Sequence, residues 1–518
     1  NYFTIDKTLG EAHKFNVVGG FSIQKSLTRW ADLEARVFPN DNLQNENLNS
    51  AGKQIVNNRP TEESILESWY GRVNYILKDK YMVTFTGRAD GSTKFGSNNK
   101  WGFFPSGAVA WKLGEEDFIR SLNIFSELKL RASYGLTGNQ GLPPYRTLDR
   151  FGTGKYFTGT TFETGFGPGL AGESNQQGLK LVGGLQNNDL KWETTTTLDA
   201  GIDIGILNQR FTLTADYYIK NTVDLLRIRS VAASTGYDEQ WVNDGEIKNT
   251  GVELGLSANV IQSSDLNWNV GGNITVNRNE VVAMGESDIV QTGGYVEQIR
   301  QNANYFIVGQ PIYSFYGYKT NGIIQTEEEG LAAGLTGAEA LPGEIKYMDI
   351  SGPDGVPDGL IDGNDRTIIG NPNPDFIYSF NTKVEYKNFD LSAQFYGVQG
   401  NDVLDLRKMT ASRQVLRWTI DNPSNEYPRA NNSRGYKASD FFITDGSFLR
   451  IQNVTLGYNV KQNLVKAISS LRVYLSGNNL YTFTKFNPGY DPEVSESGIH
   501  WGGYPKPRAY TLGINIGF

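Results

Sequence analysis

The run Ala509-Tyr510-Thr511-Leu512-Gly513-Ile514-Asn515-Ile516-Gly517-Phe518 limits the possible folds more than any other stretch. Tyr510, Leu512, Ile514, Ile516 and Phe518 fall on one face of a strand, and the opposite face carries only Ala, Thr, Gly and Asn. A soluble sandwich also alternates, but it rarely turns so many large apolar groups outward on a terminal strand. A membrane barrel requires that pattern: lipid takes one face, a closed ladder satisfies the backbone, and roughly 9–11 tilted residues cross the hydrocarbon. On this segment alone, an ordinary buried edge strand is the competing reading.

Composition separates the two. Hydrophobic residues make up 38% of the chain and mean hydropathy is −0.42, with no apolar run near the ~18 residues of a spanning helix. Barrel strands need no such run, because half of each strand is polar; 59 Gly, 27 Tyr, 27 Phe and 9 Trp suit them. The net charge of −8 argues against a nucleic-acid partner held through phosphates. There are no cysteines, and the two histidines are His13 and His500, so thiolate sites, an imidazole metal cluster and a Ser-His-Asp set lack raw material.

Taken in order, alternation predicts strands at 2–7, 13–23, 64–77, 81–86, 101–113, 127–137, 192–206, 210–221, 247–260, 266–278, 375–386, 389–399, 448–460, 471–484 and 507–518, about fifteen in all. Short connections at 78–80, 207–209, 261–265, 387–388 and 461–470 alternate with long ones at 26–63, 138–190, 222–246, 279–374, 400–447 and 485–506. Outer-membrane barrels show that asymmetry, with short periplasmic turns and long outer loops. The parity works only if the aromatic segment 311–320 belongs to an outer loop. Because the chain opens inside a strand and an even-stranded barrel needs more strands, 1–518 is expected to be one partial barrel domain with upstream strands outside it.

Arg88-Ala89-Asp90-Gly91-Ser92-Thr93-Lys94-Phe95-Gly96 and Asn99-Lys100-Trp101-Gly102-Phe103-Phe104-Pro105-Ser106-Gly107 introduce a further signal. With Leu130-Arg131-Ala132-Ser133-Tyr134-Gly135, Leu190-Lys191-Trp192-Glu193, Asn249-Thr250-Gly251-Val252-Glu253, Gly370-Asn371-Pro372-Asn373-Pro374 and Asp445-Gly446-Ser447-Phe448-Leu449-Arg450, they resemble the SusC/RagA family of TonB-dependent outer-membrane transporters. The resemblance implies a 22-stranded barrel with a plug, of which this chain is the C-terminal part without the plug. It also implies TonB coupling through a region upstream of Asn1, a SusD-like surface lipoprotein as partner, and a Gram-negative outer membrane with its lipid and lipopolysaccharide. The terminal aromatic Phe518 likewise resembles the recognition strand of such barrels.

Candidate sites follow from residue type. Asp349, Ser351, Asp354, Asp358 and Asp362 lie in a Gly-interrupted run whose alternating oxygens suit a hard cation, making 349–365 a candidate Ca2+ loop; a polar turn-rich loop is the alternative. Tyr156, Phe162, Trp241, Tyr316 and Trp501, in or beside long loops, are candidates for stacking on substrate, against simple loop packing. Trp192, Trp268, Tyr217 and Tyr458 read as lipid-interface aromatics. Asp90, Asp199, Asp203, Asp216 and Glu253 are spread along strands and suit a solvated inner face better than a paired catalytic site. Arg131, Asp199, Asp216 and Glu253 should face inward, and Leu213, Leu254, Leu256, Val270, Ile514 and Ile516 should face lipid. The reading is thus a non-enzymatic importer of oligomeric nutrients, glycan fragments or peptides; the alternative is a SusC-like accessory subunit of a larger assembly that does not itself transport.

Overall fold

The computed structural model describes residues 1–40, 42, 46–168, 184–237, 239–292, 295–296, 299, 301–408, 416–430, 436–460, 468–486 and 490–518. Its principal feature is a 15-stranded sheet whose strands neighbour one another in chain order. They are β1 (Tyr2–Leu9), β2 (His13–Arg36), β3 (Lys53–Leu77), β4 (Tyr81–Ser92), β5 (Trp101–Trp111), β6 (Phe125–Asn139), β7 (Glu193–Ile206) and β8 (Phe211–Val223). Then follow β9 (Glu246–Gln262), β10 (Leu266–Ala283), β11 (Phe376–Tyr386), β12 (Phe389–Gln399), β13 (Phe448–Val460), β14 (Ser470–Thr484) and β15 (Ala509–Gly517). Every strand expected from alternation is present. Segment 311–320 stays out of this sheet: Ser314–Tyr318 joins a separate 4-stranded one.

By contacts the chain forms two units. In the first (Asn1–Val109, Ser133–Thr197, Thr222–Asp244), the register sorts side chains by polarity. Ile5, Val17, Val73 and Phe85 are successive cross-strand partners. On the other face Asp6, Asn16, Asn74 and Thr84 form a hydrogen-bonded ladder: Asn16 Nδ2 donates to Asp6 at 2.7 Å, Asn74 Nδ2 to Asn16 at 2.9 Å and Thr84 Oγ1 to Asn74 at 2.9 Å. Lys78 and Asp79 have φ of 53° and 57°, the left-handed backbone that a tight hairpin between right-twisted strands requires.

Two expectations for this unit are corrected. Residues 26–63 are not one loop: β2 continues to Arg36 and β3 begins at Lys53, giving strands of 24 and 25 residues. That is more than twice the ~9–11 needed to cross hydrocarbon, so the hairpin extends well past it. Charged residues such as Lys25, Arg29, Asp32 and Glu34 hid the strand, because beyond lipid neither face has to be apolar. Trp192 is not an interface aromatic. It is 6% exposed and packs with Phe95, Phe104, Leu142 and Leu190, while its indole Nε1 donates to the Lys100 carbonyl at 3.1 Å.

The second unit (Ala110–Ala132, Leu198–Asn221, Gly245–Phe518) repeats the sorting. Trp268, Val384, Leu391, Leu456, Leu475 and Leu512 are partners across six adjacent strands and form one apolar row. Near the short turns, Tyr386, Phe389 and Tyr458 lie side by side on the same face. Toward the long connections that face carries Tyr481 and Phe483, 4.6 Å apart between ring centroids. Aromatic rows bounding an aliphatic band are what a bilayer slab selects. The outward groups are exposed: Leu456 49%, Leu475 54%, Leu512 75% and Ile514 61%. A soluble sheet would bury such a row.

The long connections of this unit are not irregular. Within 279–374 lie the strands Ile289–Gln291, Asn304–Ile307, Ser314–Tyr318 and Arg366–Gly370, and the helix Glu327–Ala332, capped by Thr326. Residues from 284–375, 400–447 and 485–508 share one core that includes Phe315, Ile324, Ile345, Leu404, Phe442 and Ile499, each at most 2% exposed. Short apolar pieces without a period gave no sign of it. In the short connection expected at 461–470, residues 461–467 lie outside the described residues.

Candidate functional site

Opposite the apolar row, the second unit carries a continuous polar face. Arg131 on β6 donates to Asp203 on β7 at 3.1 and 3.2 Å and to Asp216 on β8 at 2.8 Å; Lys129 reaches Asp203 at 3.3 Å. Asp203 and Asp216 are therefore counter-ions of one guanidinium. Tyr218 lies over Gly251 and donates to Asn277 at 3.0 Å, placing Glu253 on the face of Asp216. Further along, Arg472 donates to Asp390 at 3.0 Å, and Asn453 donates to Ser476 at 3.0 Å and Asn478 at 2.8 Å. Alternation puts Leu213, Leu254, Leu256, Val270, Ile514 and Ile516 on the other face. The two expected sets thus lie on opposite faces. These polar side chains keep hydrogen-bonding capacity for water or a polar solute.

Above the sheet the loops add a cleft. A cavity of about 380 Å³ is lined by Arg450, Thr482, Tyr490, Asp491, Lys506 and Arg508, among others. Arg450, 4% exposed, donates to Glu493 at 2.6 Å and Asp491 at 2.5 Å, and Lys506 also pairs with Glu493. Burial alone would raise the Glu493 carboxyl, but the hydrogen bonds from Lys506 and Arg450 outweigh it and hold the group below its ordinary value. Nearby, Arg407 pairs with Asp405 at 2.7 Å and lies 4.5 and 4.1 Å from the ring centroids of Phe486 and Tyr490. Burial, and secondarily the Arg407 charge, holds the His500 imidazole below its ordinary value. Sequence reasoning missed this cluster, since nothing in the spacing of Arg450, Asp491 and Glu493 indicates that they meet.

The aromatic candidates have different fates. Trp501 is 57% exposed and Tyr504 94%, so both rings are available to a ligand. Tyr316 is held within the loop core: the Arg366 guanidinium lies 4.6 Å from its ring centroid and Tyr305 packs edge-on at 5.3 Å. Trp241 is half-buried on the strand Glu239–Asn243 of the first unit, against the cluster containing Leu142 and Trp192. Tyr156 and Phe162 sit in the paired strands Phe151–Phe157 and Phe162–Pro168; their side chains lie outside the described residues. Trp268, Tyr217 and Tyr458 are 36%, 46% and 39% exposed on strand positions facing away from the polar side.

In the acidic loop, Asp349 accepts from Gly359 N at 2.6 Å, Asp358 from Leu360 N at 3.0 Å and Asp362 from Asn364 N at 2.7 Å. Asp365, fully buried, accepts from the amides of Ile350 and Asp362 at 2.8 Å and of Ser351 at 3.2 Å. Among the described residues no three His, Cys, Asp or Glu side chains are grouped to hold a metal. The carboxylates act here as acceptors that shape the turn.

Comparison with known proteins places this geometry. Residues 1–480 match the family model for the β-barrel of TonB-dependent receptor-like proteins. The chain is 33% identical over 542 residues to TonB-dependent receptor P3 of Formosa agariphila, covering 100% of the chain and 52% of that protein. It is 33% identical over 478 residues to TonB-dependent receptor SusC of Bacteroides thetaiotaomicron, covering 88% of the chain and 44% of that protein. It therefore spans about half the length of the curated relatives it matches. Among solved structures, the RagAB peptide transporter aligns with a TM-score of 0.78 at 23% identity, over 99% of this chain and 54% of that one, a likeness of fold.

Proposed function

Since this chain belongs to the TonB-dependent receptor-like β-barrel family of the outer membrane, we propose that its full-length protein imports oligomeric nutrients, glycan fragments or peptides, across that membrane. A SusD-like surface lipoprotein delivers the oligomer to the outer loops, and TonB supplies the energy through a segment outside this chain. The observation that carries the reading is the pairing of a polar, hydrogen-bonding sheet face with outer connections that fold on a core of their own. A barrel needs neither feature merely to anchor itself, and long structured loops on a rigid scaffold are where binding resides. Arg131, Asp203 and Asp216 keep the inner face charged and hydrated, while Trp501 and Tyr504 present open rings that can stack on a sugar or a peptide side chain.

The test is deletion of the gene followed by growth on single glycans or peptides as carbon source, with pull-down of the tagged full-length protein from detergent extract. Loss of growth on one oligomer class, restored by the wild-type gene, together with a co-purifying surface lipoprotein, is the expected result. Undiminished growth on every oligomer, with loss of an outer-membrane assembly, would assign the accessory role instead.

A further inference from the structure

We propose that the connection between β5 and β6, residues 112–124, is a lipid-binding wedge that seats Phe118, Leu122 and Ile124 at the headgroup–acyl boundary of the periplasmic leaflet. The inference concerns how the barrel is held in the membrane and stands apart from what is imported.

The connection lies at the end of the sheet where the short turns lie. Gln209, in the turn between β7 and β8, donates through its backbone N to Ser126 Oγ at 2.9 Å and through its side chain to Glu127 at 3.1 Å, at the start of β6. Elsewhere in the second unit the connections at this end, 207–210, 263–265 and 387–388, are tight, as periplasmic turns are. Residues 112–124 are longer and carry apolar groups that a turn in water does not need. Phe118 is 62% exposed, Leu122 53% and Ile124 56%. Single exposed apolar residues are ordinary, but three so close together form a patch.

Two contacts put this patch on the lipid side of the sheet. Alternation along β5 gives Trp111 the face of Phe103, whose ring lies against Gly87, two residues from the outward Phe85. Trp111 Nε1 donates to Glu116 Oε1 at 3.1 Å, so an outward aromatic at the end of β5 holds the start of the helical turn Asp117–Arg120. On β6, Leu128 shares the outward face with Leu130 and Tyr134, yet it is 9% exposed against their 37% and 55%. Gly114 packs against it: a Cβ there would stand 3.0 Å from Leu128 N and 3.5 Å from Leu128 Cβ. The connection therefore continues the lipid-facing surface and does not turn into the interior.

The local fold presents the apolar groups together. Ser121 N donates to Asp117 O and Leu122 N to Ile119 O, each at 3.0 Å, so Phe118 and Leu122, four residues apart, share one side of the turn. Asn123, with φ of 53°, ends the turn and returns the chain to β6, where Ile124 has the parity of Leu128. Arg120 pairs with Glu115, leaving that guanidinium compensated. Apolar side chains on a segment lying in the interface plane bury about 5–10 Å into the headgroup and acyl boundary. Continuity with a surface that lipid already covers selects lipid as the occupant over a second copy of the chain or a periplasmic protein.

The experiment uses full-length protein, with any cysteine outside residues 1–518 replaced by serine, in nanodiscs of phosphatidylethanolamine and phosphatidylglycerol that hold a single barrel each. Phe118→Cys, Leu122→Cys and Ile124→Cys, with Ser264→Cys in the tight turn 263–265 as the aqueous reference, carry a nitrobenzoxadiazole fluorophore. Heat-modifiable gel mobility confirms the folded barrel, and the three apolar sites keep the test open should one variant fail to fold. Quenching by brominated acyl chains reports lipid, and quenching by iodide reports water. The ratio of the first to the second at each apolar site should exceed that at Ser264 by at least about threefold. A smaller ratio, which places the connection in water, overturns the proposal. Protection from both quenchers, which reports a covering protein segment, overturns it as well.

Discussion

Val454 lies on β13 in the row that also contains Val270, Thr382, Ala393 and Tyr510, four residues from Tyr458 in the aromatic row at the turn end. At ~3.3 Å per residue and a tilt near 40°, that separation is about 10 Å along the membrane normal, close to the middle of a ~25 Å apolar band. Val454→Arg should therefore cost about 2–4 kcal/mol, and Tyr458→Arg, at the interface, about 0–1 kcal/mol. Thr511 is exposed on the polar face opposite Ser476, so Thr511→Arg should also stay below about 1 kcal/mol. Folding of the full-length protein into vesicles at graded urea, read by heat-modifiable gel mobility, gives the three values. Since about 1.4 kcal/mol is tenfold in an equilibrium constant, the contrast should approach a hundredfold. Equal costs at the three sites, or a Val454→Arg cost under about 0.5 kcal/mol, would refute the assignment of faces.

Other outcomes follow from single contacts. A Cβ at Gly457 would strike the carboxylate of Asp390 and the guanidinium of Arg472, so Gly457→Ala should cost about 1–3 kcal/mol in the same assay; an unchanged midpoint contradicts the close approach. Trp192→Ala should cost about 3–5 kcal/mol because the ring fills a core, whereas an interface aromatic would cost far less on truncation. The Asp365 carboxyl is pushed up by burial, but the amides of Asp362, Ile350 and Ser351 outweigh this and hold it below its ordinary 3.8. Its contribution is therefore complete above that value and lost as pH falls through the lowered one. Asp365→Asn at neutral pH should expose 349–365 to proteolysis with EGTA present or absent, and equal cleavage of wild type and variant would remove Asp365 as the organiser of that loop.

Strands were legible in the sequence where two solvents imposed two polarities. The row from Trp268 to Leu512 and the ladder Asp6, Asn16, Asn74, Thr84 are the two sides of that constraint. Where it ends, legibility ends. Past Ser26 the β2–β3 hairpin lies between water and water, and its charged residues imitate a loop. In 284–375 the strands are two to five residues long and too short to show a period. Side-chain chemistry was legible by type and illegible by partner. Tyr316 has the ring of a sugar platform but is committed to Arg366 and Tyr305, while Trp501, chosen on the same ground, is open.

Residues 1–518 contain no cysteine, so with any cysteine outside them replaced by serine one measurement addresses the central claim directly. Single cysteines placed at Leu456, Leu475 and Leu512, and at their strand neighbours Thr455, Ser476 and Thr511, can carry a nitroxide in the full-length protein reconstituted into vesicles. Spin relaxation by dissolved oxygen reports lipid, and relaxation by a water-soluble nickel chelate reports an aqueous or polar setting. The account predicts oxygen-dominated relaxation at Leu456, Leu475 and Leu512 and nickel-dominated relaxation at Thr455, Ser476 and Thr511. The same accessibility at both sets, or the reverse order, would contradict a sheet that meets lipid on one face and a polar interior on the other.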